Sequence, residues 1–281
     1  MSFVIRPARA EDVPLISSWS RDTFSWGDYV PDALSDWVED AQSLVIVCVL
    51  EDDVPVAVSR TQLLTSIEAW LSGARVHPDH RRSGMGMAMN DFGVEWARHR
   101  GALVARLAIE EDNEAARAQV VKSGYRLTGR WLFAKAGPPT GRRMESGLRL
   151  RPGATIDADA AWMFWSQSDL ARAARDMIPE GWRWRKGTRQ ELEDAVHGHT
   201  FFQGAGGWAI VTNTDHGIGV RWVATAPTEA PLLLEGLRDL LRERKGGMVE
   251  MMIPESPWVT EALLREGFVV RPVLIYSKTL S

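Results

Sequence analysis

The six residues from Arg81 to Gly86 have the types and the spacing to hold a phosphate group. They read Arg-Arg-Ser-Gly-Met-Gly and lie between a strand-like run that ends at Val76 and a helix-like run from Met87 to about His99. Two glycines let the backbone approach a ligand closely and adopt conformations that other residues avoid. A turn that opens onto a helix also points unpaired N–H groups and the positive end of the helix dipole at an anion. The turn therefore predicts a pyrophosphate site.

Two other phosphate-binding loops do not fit this turn. No Gly-Lys-Ser/Thr follows it, which excludes a Walker loop, and the third glycine and the ribose-binding acid of the dinucleotide motif are absent. An ordinary strand–turn–helix connection is the remaining alternative. Such a connection needs one glycine at most, so the second glycine and the arginine favour the anion site.

Composition sets the class of protein. With 281 residues, 45% hydrophobic and 25% charged, the chain is that of a globular protein with one large domain or two of ordinary size. A net charge of −4 gives no general attraction to nucleic acid or to an anionic membrane. The one cysteine, Cys48, lies in an apolar run and is interpreted as an inert thiol. No leader-like or membrane-spanning run occurs, so we expect a cytoplasmic protein.

The apolar pattern predicts alternating strands and helices, which is typical of an α/β domain. A bulge is predicted at Ser72-Gly73. The predicted strands cover residues 44–51, 56–63, 66–76, 102–110 and 124–134, and the predicted helices begin at Glu11, Met87 and Asn113.

The second half of the chain repeats markers of the first. Leu150-Arg-Pro-Gly matches Ile5-Arg-Pro-Ala, and a Gly-aromatic pair follows at Gly267 as it does at Gly124. Arg6 and Gly124 lie 118 positions apart, and Arg151 and Gly267 lie 116 apart. The similar spacing favours two copies of one fold. We therefore predict domains at 1–136 and 147–281, joined by a linker at 137–146.

Residues 3–136 resemble the GCN5-related N-acetyltransferase (GNAT) superfamily, and 147–281 resemble it as a degenerate second copy. The resemblance implies two tandem α/β domains, each with a central mixed, mostly antiparallel sheet flanked by helices. The motifs that carry it occur in order: Ile5-Arg6-Pro7-Ala8, Ala74-Arg75-Val76-His77-Pro78, the turn from Arg81 to Gly86, Asn113, and Gly124-Tyr125.

The resemblance implies acetyl-CoA as the cosubstrate. The backbone of Ala74, Arg75 and Val76 would pair with the pantetheine arm, and Asn113 would contact the cofactor where two central strands diverge. Asn113 also suits a helix N-cap, and the two roles are compatible. The pyrophosphate would be held by the turn and the first helical turn, which consist of Arg81, Arg82, Ser83, Gly84, Met85, Gly86 and Met87.

The implied reaction is the attack of a primary amine, carried by a small molecule, on a thioester. A carboxylate would remove the amine proton, and a backbone N–H near Val76 would hold the oxyanion. Glu68 and Glu110 are the candidates for the base, with Glu111 as a rival; a solvated strand-end carboxylate is the alternative for each. The tyrosine that serves many relatives as the acid is replaced by Val120, which leaves Tyr29 as a candidate.

The acceptor site is predicted from Trp26, Asp28, Tyr29 and Trp37. Asp28 would hold a cationic amine beside aromatic walls, whereas a capped helix on an aromatic core is the alternative. His77 and His80 flank the turn without a third ligand at suitable spacing, so no metal site is predicted.

The second copy has lost the glycine turn. Pro227 and Pro231 lack N–H donors, and Glu229 would repel a pyrophosphate, although a helix is still predicted from Pro231 to Arg244. We therefore expect 147–281 to complete the acceptor pocket or to stabilise the first domain; Trp162, Trp165, Trp182 and Trp184 are candidate contacts. A non-catalytic acyl-CoA sensor and a protein lysine or N-terminal acetyltransferase remain alternative functions, and the sequence leaves the oligomeric state open.

Overall fold

The computed structural model describes residues 2–21, 23, 27–139, 145, 148–244 and 246–280. The chain forms two compact units. The first consists of Met1–Ile109, Asn113–Arg126 and Tyr276–Ser281, and the second of Glu110–Asp112 and Leu127–Ile275. These units differ from the predicted division at residue 136, because 127–136 pack with the second unit and the last residues pack with the first.

The first unit has a five-stranded sheet in the order β1-β2-β3-β4-β5. Neighbouring strands are antiparallel except β4 and β5, which are parallel. The elements in chain order are β1 (Val4–Pro7), α1 (Val13–Ser20), α2 (Val30–Glu39), β2 (Ser43–Val49), β3 (Pro55–Leu63), β4 (Glu68–Val76), α3 (Met85–His99), β5 (Val104–Glu110) and α4 (Glu114–Lys122). The predicted mixed, mostly antiparallel sheet flanked by helices is confirmed.

Strand β2 shows how the sheet divides the core of this unit. Successive side chains of a strand point to opposite faces. Val45 and Val47 pack with Leu34 of α2 on one face. Cys48 packs with Met85 of α3 on the other face, and its burial raises the pKa of the thiol to about 11. The apolar run around Cys48 is therefore a strand buried on both sides, and the thiol is held in its unreactive protonated form.

Arg6, in the motif that opens the first copy, fastens β1 to the turn before α1. Its guanidinium donates to both carboxylate oxygens of Asp12, at 2.7 and 2.9 Å, and to Asp53 at 2.6 Å. The side chain of Asp12 is only 5% exposed. A buried carboxylate is costly unless it is paired, so Arg6 is a structural residue.

The second unit repeats the order of elements and adds a hairpin and a helix. Its sheet has the order β14-β6-β13-β12-β11-β10-β7, and β8 pairs with β9 apart from it. The elements are β6 (Arg126–Ala136), β7 (Arg151–Pro152), α5 (Thr155–Ser166), α6 (Asp169–Ala174), β8 (Met177–Glu180), β9 (Arg183–Lys186), α7 (Gln190–His197), β10 (Phe201–Gly204), β11 (Gly207–Thr214), β12 (Gly217–Ala224), α8 (Ala230–Glu243), β13 (Met248–Pro254), α9 (Pro257–Arg265) and β14 (Val269–Thr279).

Local details confirm that the two halves are copies. Asp12 accepts a hydrogen bond from the Arg9 N–H at 2.8 Å, and Asp157 accepts one from the Ala154 N–H at 2.7 Å. Asp12 and Asp157 are separated by the same number of positions as Arg6 and Arg151, and so are Arg9 and Ala154. The glycine after the last helix has a φ of 84° in one copy and 76° in the other.

Of the predicted linker, 140–144 and 146 lie outside the described residues. The preceding residues are held by two arginines of α8. Arg238 donates to the carbonyl of Gly137 at 2.9 Å, and Arg242 donates to that of Pro139. The beginning of the linker is therefore part of the second unit.

The repeat supplies a matched test of the pairing of Arg6 with Asp12. We expect Arg6→Met to lower the free energy of unfolding by roughly 3 kcal/mol, because it leaves Asp12 buried without its cation. Arg151→Met replaces an exposed arginine and should change stability by less than about 0.5 kcal/mol. Denaturant unfolding of both variants measures this, and equal effects would contradict the structural role.

Candidate active site

Strands β4 and β5 pair over only three positions. Glu68 faces Val104, Ala69 faces Ala105, and Trp70 faces Arg106. Beyond these pairs β4 continues to Val76 and β5 to Glu110 without pairing to each other. The two strands therefore diverge, and their backbone groups along the open edge are available to an extended ligand.

A bulge in β4 lies on the diverging part of the strand. Arg60 faces Ser72 and Val58 faces Arg75, so Gly73 and Ala74 both lie opposite one residue of β3. Gly73 has a φ of 64°, and a Cβ there would lie 2.6 Å from the ring of Trp37. The position requires glycine for both reasons. The bulge predicted at Ser72-Gly73 is confirmed, displaced by one residue.

The turn that follows β4 leads directly into α3. Arg82 has a φ of 63° and Gly84 a φ of 85°, and Ser83 fixes the turn by donating to the His80 carbonyl at 2.6 Å. The first intrahelical bond runs from the Ala88 N–H to the Gly84 carbonyl at 3.1 Å. Consequently the N–H groups of 85–87 have no acceptor within the helix. They form a row of donors beside two exposed arginines, 81 and 82.

Glycine is needed at the two positions of the turn for different structural reasons. A Cβ on Gly84 would meet nothing within 4 Å, so this glycine serves the left-handed conformation and leaves open space in front of the helix. A Cβ on Gly86 would lie 3.0 Å from Nε2 of Gln119 in α4, so this glycine permits close packing. Because Gly84 ends the turn, α3 begins at Met85, two residues earlier than predicted.

Asn113 caps α4. Its side-chain oxygen accepts a hydrogen bond from the Ala116 N–H at 3.1 Å, and this satisfies a donor of the first helical turn. The predicted capping role is confirmed. The contact with a cofactor, which the resemblance implies, stays a prediction.

The structure does not support Glu68 as a catalytic base. Its carboxylate accepts a hydrogen bond from Arg106 at 2.5 Å, and the two side chains are 4% and 10% exposed. Glu68 belongs to the paired part of β4 rather than to the diverging part. The carboxylate is committed to Arg106, and this pair links β4 and β5 where the two strands are still paired.

Glu110 and Glu111 differ in their surroundings. Glu111 pairs with Arg130 at 2.7 Å. Glu110 is the last residue of β5, and burial together with Asp112 raises the pKa of its carboxyl group above the ordinary 4.5, although Arg271 acts in the opposite direction. A raised pKa increases the affinity for a proton, which is what a general base requires.

The structure pairs Asp28 with Arg75, a contact that the sequence did not reveal. The guanidinium donates to both carboxylate oxygens, at 2.5 and 3.0 Å, and the side chain of Asp28 is completely buried. Asp28 was predicted to hold a cationic amine, but the cation that it binds in this structure is the guanidinium of Arg75. Trp26, the first residue of the predicted acceptor site, lies outside the described residues.

Tyr29 and Trp37 lie at the bulge. Their rings meet edge to face with centroids 5.8 Å apart, and Arg75 lies over the Tyr29 ring at 5.5 Å. The Tyr29 hydroxyl accepts a hydrogen bond from the Gly73 N–H, and burial raises the pKa of this hydroxyl. Val120, at the position of the usual acid, is buried and has no proton to donate.

His77 and His80 belong to the turn. The ring of His77 meets the edge of Trp19 at 5.7 Å, and its Nδ1 accepts from the Asp79 N–H at 3.3 Å. Across the described ranges, no three His, Cys, Asp or Glu side chains are grouped so that they could hold a metal ion. None of the helices in those ranges has the length and apolar character of a membrane span.

Comparison with known families decides how this geometry is classified. Residues 13–125, which contain the diverging strands and the glycine turn, match the profile of the Acetyltransferase (GNAT) family. Residues 13–125 are therefore identified as a GNAT-family domain. A search of the curated proteins finds no significant sequence match.

Solved structures show that the GNAT fold extends over the whole chain. A GCN5-related N-acetyltransferase from Sphaerobacter thermophilus is 16% identical with a TM-score of 0.72, covering 99% of this chain and 96% of that one. A tandem GNAT protein from the clavulanic acid biosynthesis pathway is 13% identical with a TM-score of 0.61, covering 100% and 99%. A fungal enzyme with a GCN5-related glucosamine N-acetyltransferase region is 12% identical with a TM-score of 0.70, covering 99% and 38%.

The second unit keeps a short parallel pairing, but the start of the helix that follows it differs. Its parallel strands pair from Gly217 to Val220 only. At the start of α8, the N–H groups of Glu229 and Ala230 both donate to the Ala226 carbonyl, at 3.0 and 2.9 Å. The next residue is Pro231, which has no N–H. Of the first three residues of α8, Ala230 therefore uses its N–H internally and Pro231 has none.

Replacing Glu68 separates a structural role from a catalytic one. We expect Glu68→Gln to lower the free energy of unfolding by roughly 3 kcal/mol, because it leaves Arg106 buried without a counter-charge. The folded fraction should keep its acyl-CoA affinity within about twofold. A variant of unchanged stability that has lost turnover would restore Glu68 as the base; thermal unfolding and single-turnover rates give the two readouts.

Proposed function

We propose that the first unit transfers an acetyl group from acetyl-CoA to the primary amine of a small molecule. One observation carries the proposal: an open strand edge leads straight to a row of N–H donors that faces empty space. A pantetheine arm contains amides that can pair with the backbone of Ala74–Val76 as an added strand. A pyrophosphate suits the helix start behind Gly84, beside Arg81 and Arg82. The match of residues 13–125 to the GNAT family supports this ligand.

The chemistry that we assign to the site is an acyl transfer. The amine nitrogen attacks the thioester carbon, a C–N bond forms and the C–S bond breaks. A carboxylate, directly or through water, takes the proton that the amine loses, and a backbone N–H near Val76 stabilises the negative charge on the carbonyl oxygen. The departing thiolate takes its proton from water, because Val120 offers none.

A non-catalytic acyl-CoA-binding protein is the second candidate, and Val120 is the observation that favours it. The two functions differ in turnover. Release of CoA thiol in the presence of amines identifies the enzyme, whereas tight acetyl-CoA binding without release identifies the sensor. For the second unit we propose a supporting role without acyl-CoA, since its helix start lacks the donors.

A small acceptor is favoured over a protein because the aromatic wall at the bulge is compact. Two ring side chains and one arginine–aspartate pair surround Gly73 (Tyr29, Trp37, Arg75 and Asp28). The fungal region with the same fold is named for glucosamine, a small amine.

Gly84→Asp tests the anion site. The new carboxylate would stand in the open space before α3 and repel the pyrophosphate, so we expect acetyl-CoA affinity to fall roughly 100-fold or more. Gly181→Asp is the matched control, because Gly181 also has a positive φ of 62° and open space around its Cβ position. Calorimetric titration of both variants gives the affinities, and circular dichroism checks the fold. Equal affinities would overturn the site.

Glu110→Gln tests whether the carboxylate of Glu110 is the base. We expect kcat to fall about 100-fold, in line with the loss of a general base, while the acetyl-CoA affinity is kept. In the unsubstituted protein, activity should be lost as the pH falls through the raised pKa of Glu110, hence above pH 4.5. The variant should lack that limb of the kcat profile. Glu111→Gln, which only breaks the pair with Arg130, should lower kcat less than about threefold; the reverse ranking would transfer the role to Glu111.

A further inference from the structure

The aromatic wall at the bulge presents a ring, and not a charge, to an acceptor. Tyr29 is 55% exposed although its ring is fixed on several sides. Its hydroxyl accepts from the Gly73 N–H, the edge of Trp37 supports the ring, and Arg75 covers part of one face. An exposed ring that is held rigidly can stack on a ligand with little loss of side-chain entropy.

The nearby carboxylates are already neutralised. Asp28 accepts two hydrogen bonds from Arg75 and a third, at 2.9 Å, from the Val30 N–H. Asp40 accepts from Arg60 at 2.7 Å and from Ser43 at 2.6 Å, and Arg60 in turn lies 5.0 Å from the centre of the Trp37 ring. Each of these two acids is therefore already paired with an arginine.

We infer that the acceptor is a primary amine with an aromatic or other flat apolar body, which stacks on the exposed part of the Tyr29 ring. The inference rests on the proposed function and names the substrate class of that site. The Tyr29 hydroxyl meets Gly73 in the part of β4 that is not paired with β5, so the ring lies beside the strand that we assign to the acetyl-CoA site. A dication of similar length would lack both a stacking partner and a counter-charge at Asp28 and Asp40.

The rival explanation is an acid that holds a second positive charge. Among the described residues of α2, Asp32 represents it best, because it is exposed in the first helical turn, three residues after Tyr29. Under our inference Asp32 takes no part in acceptor recognition, so it provides the charge-removal control.

The test measures CoA thiol release by the full chain with acetyl-CoA and two sets of amines. One set contains arylalkylamines such as 2-phenylethylamine, and the other contains aliphatic diamines such as 1,4-diaminobutane. We expect kcat/KM at least tenfold higher for the arylalkylamines. Tyr29→Leu should lower that value about tenfold, the scale of one aromatic contact, and should leave the KM for acetyl-CoA within twofold.

Three further variants separate ring, hydroxyl and charge. Tyr29→Phe keeps the ring and should stay within threefold of the unsubstituted protein; a loss as large as that of Tyr29→Leu overturns the inference in favour of the hydroxyl. Phe92→Leu removes another exposed ring, 41% exposed on α3, and Asp32→Asn removes the charge. Both should leave amine preference unchanged, and a selective rise in the diamine KM for Asp32→Asn overturns the inference.

The outcomes also distinguish this inference from the function on which it rests. CoA release that is faster with diamines overturns the inference and leaves the acetyl transfer intact. Acetyl-CoA binding without release for any amine overturns the acetyl transfer and the inference together.

Discussion

The parallel pairing of β4 and β5 ends after three residues, and the site depends on that limit. Unpaired backbone groups within a fold are costly unless water or a ligand satisfies them. Two features determine where the separation begins. The buried pair of Glu68 and Arg106 holds the closed end, and the bulge at Gly73 bends β4 away from a regular ladder. The open edge is thus a consequence of local structure on both sides of it.

The two units show how little must change for such a scaffold to lose its anion site. Both keep a short parallel pairing followed by divergence. In the first, Gly84 turns the chain and the first three N–H groups of α3 have no acceptor within the helix; in the second, Ala226 accepts from the Ala230 N–H, and Pro231 has no N–H. The fold depends on apolar packing and strand pairing, which tolerate these replacements, whereas the anion site depends on a few backbone donors.

Sequence reasoning succeeded where a feature is local. The glycine turn, the bulge and the cap at Asn113 each depend on residues close together in the chain, so their patterns are visible in the sequence, and the repeat is visible because its short motifs recur at a similar spacing. It failed where a side chain meets a distant partner. Glu68 and Arg106 are 38 positions apart, and Asp28 and Arg75 are 47 apart. The residues next to each acid in the sequence do not indicate that it pairs with an arginine. The start of α3 was missed because the left-handed residue before a helix is not marked by the apolar period.

The composition of the first unit has a consequence for biosynthesis. The Leu280 N–H donates to the Leu103 carbonyl at 2.9 Å, and Tyr276–Ser281 belong to the same unit as the glycine turn. A ribosome makes that segment only after every residue of the other unit. A chain synthesised only as far as residue 136 therefore lacks residues 276–281 of the first unit and carries residues 127–136, which belong to the second unit. Dividing the chain at residue 136 would therefore separate each unit from a segment that packs with it.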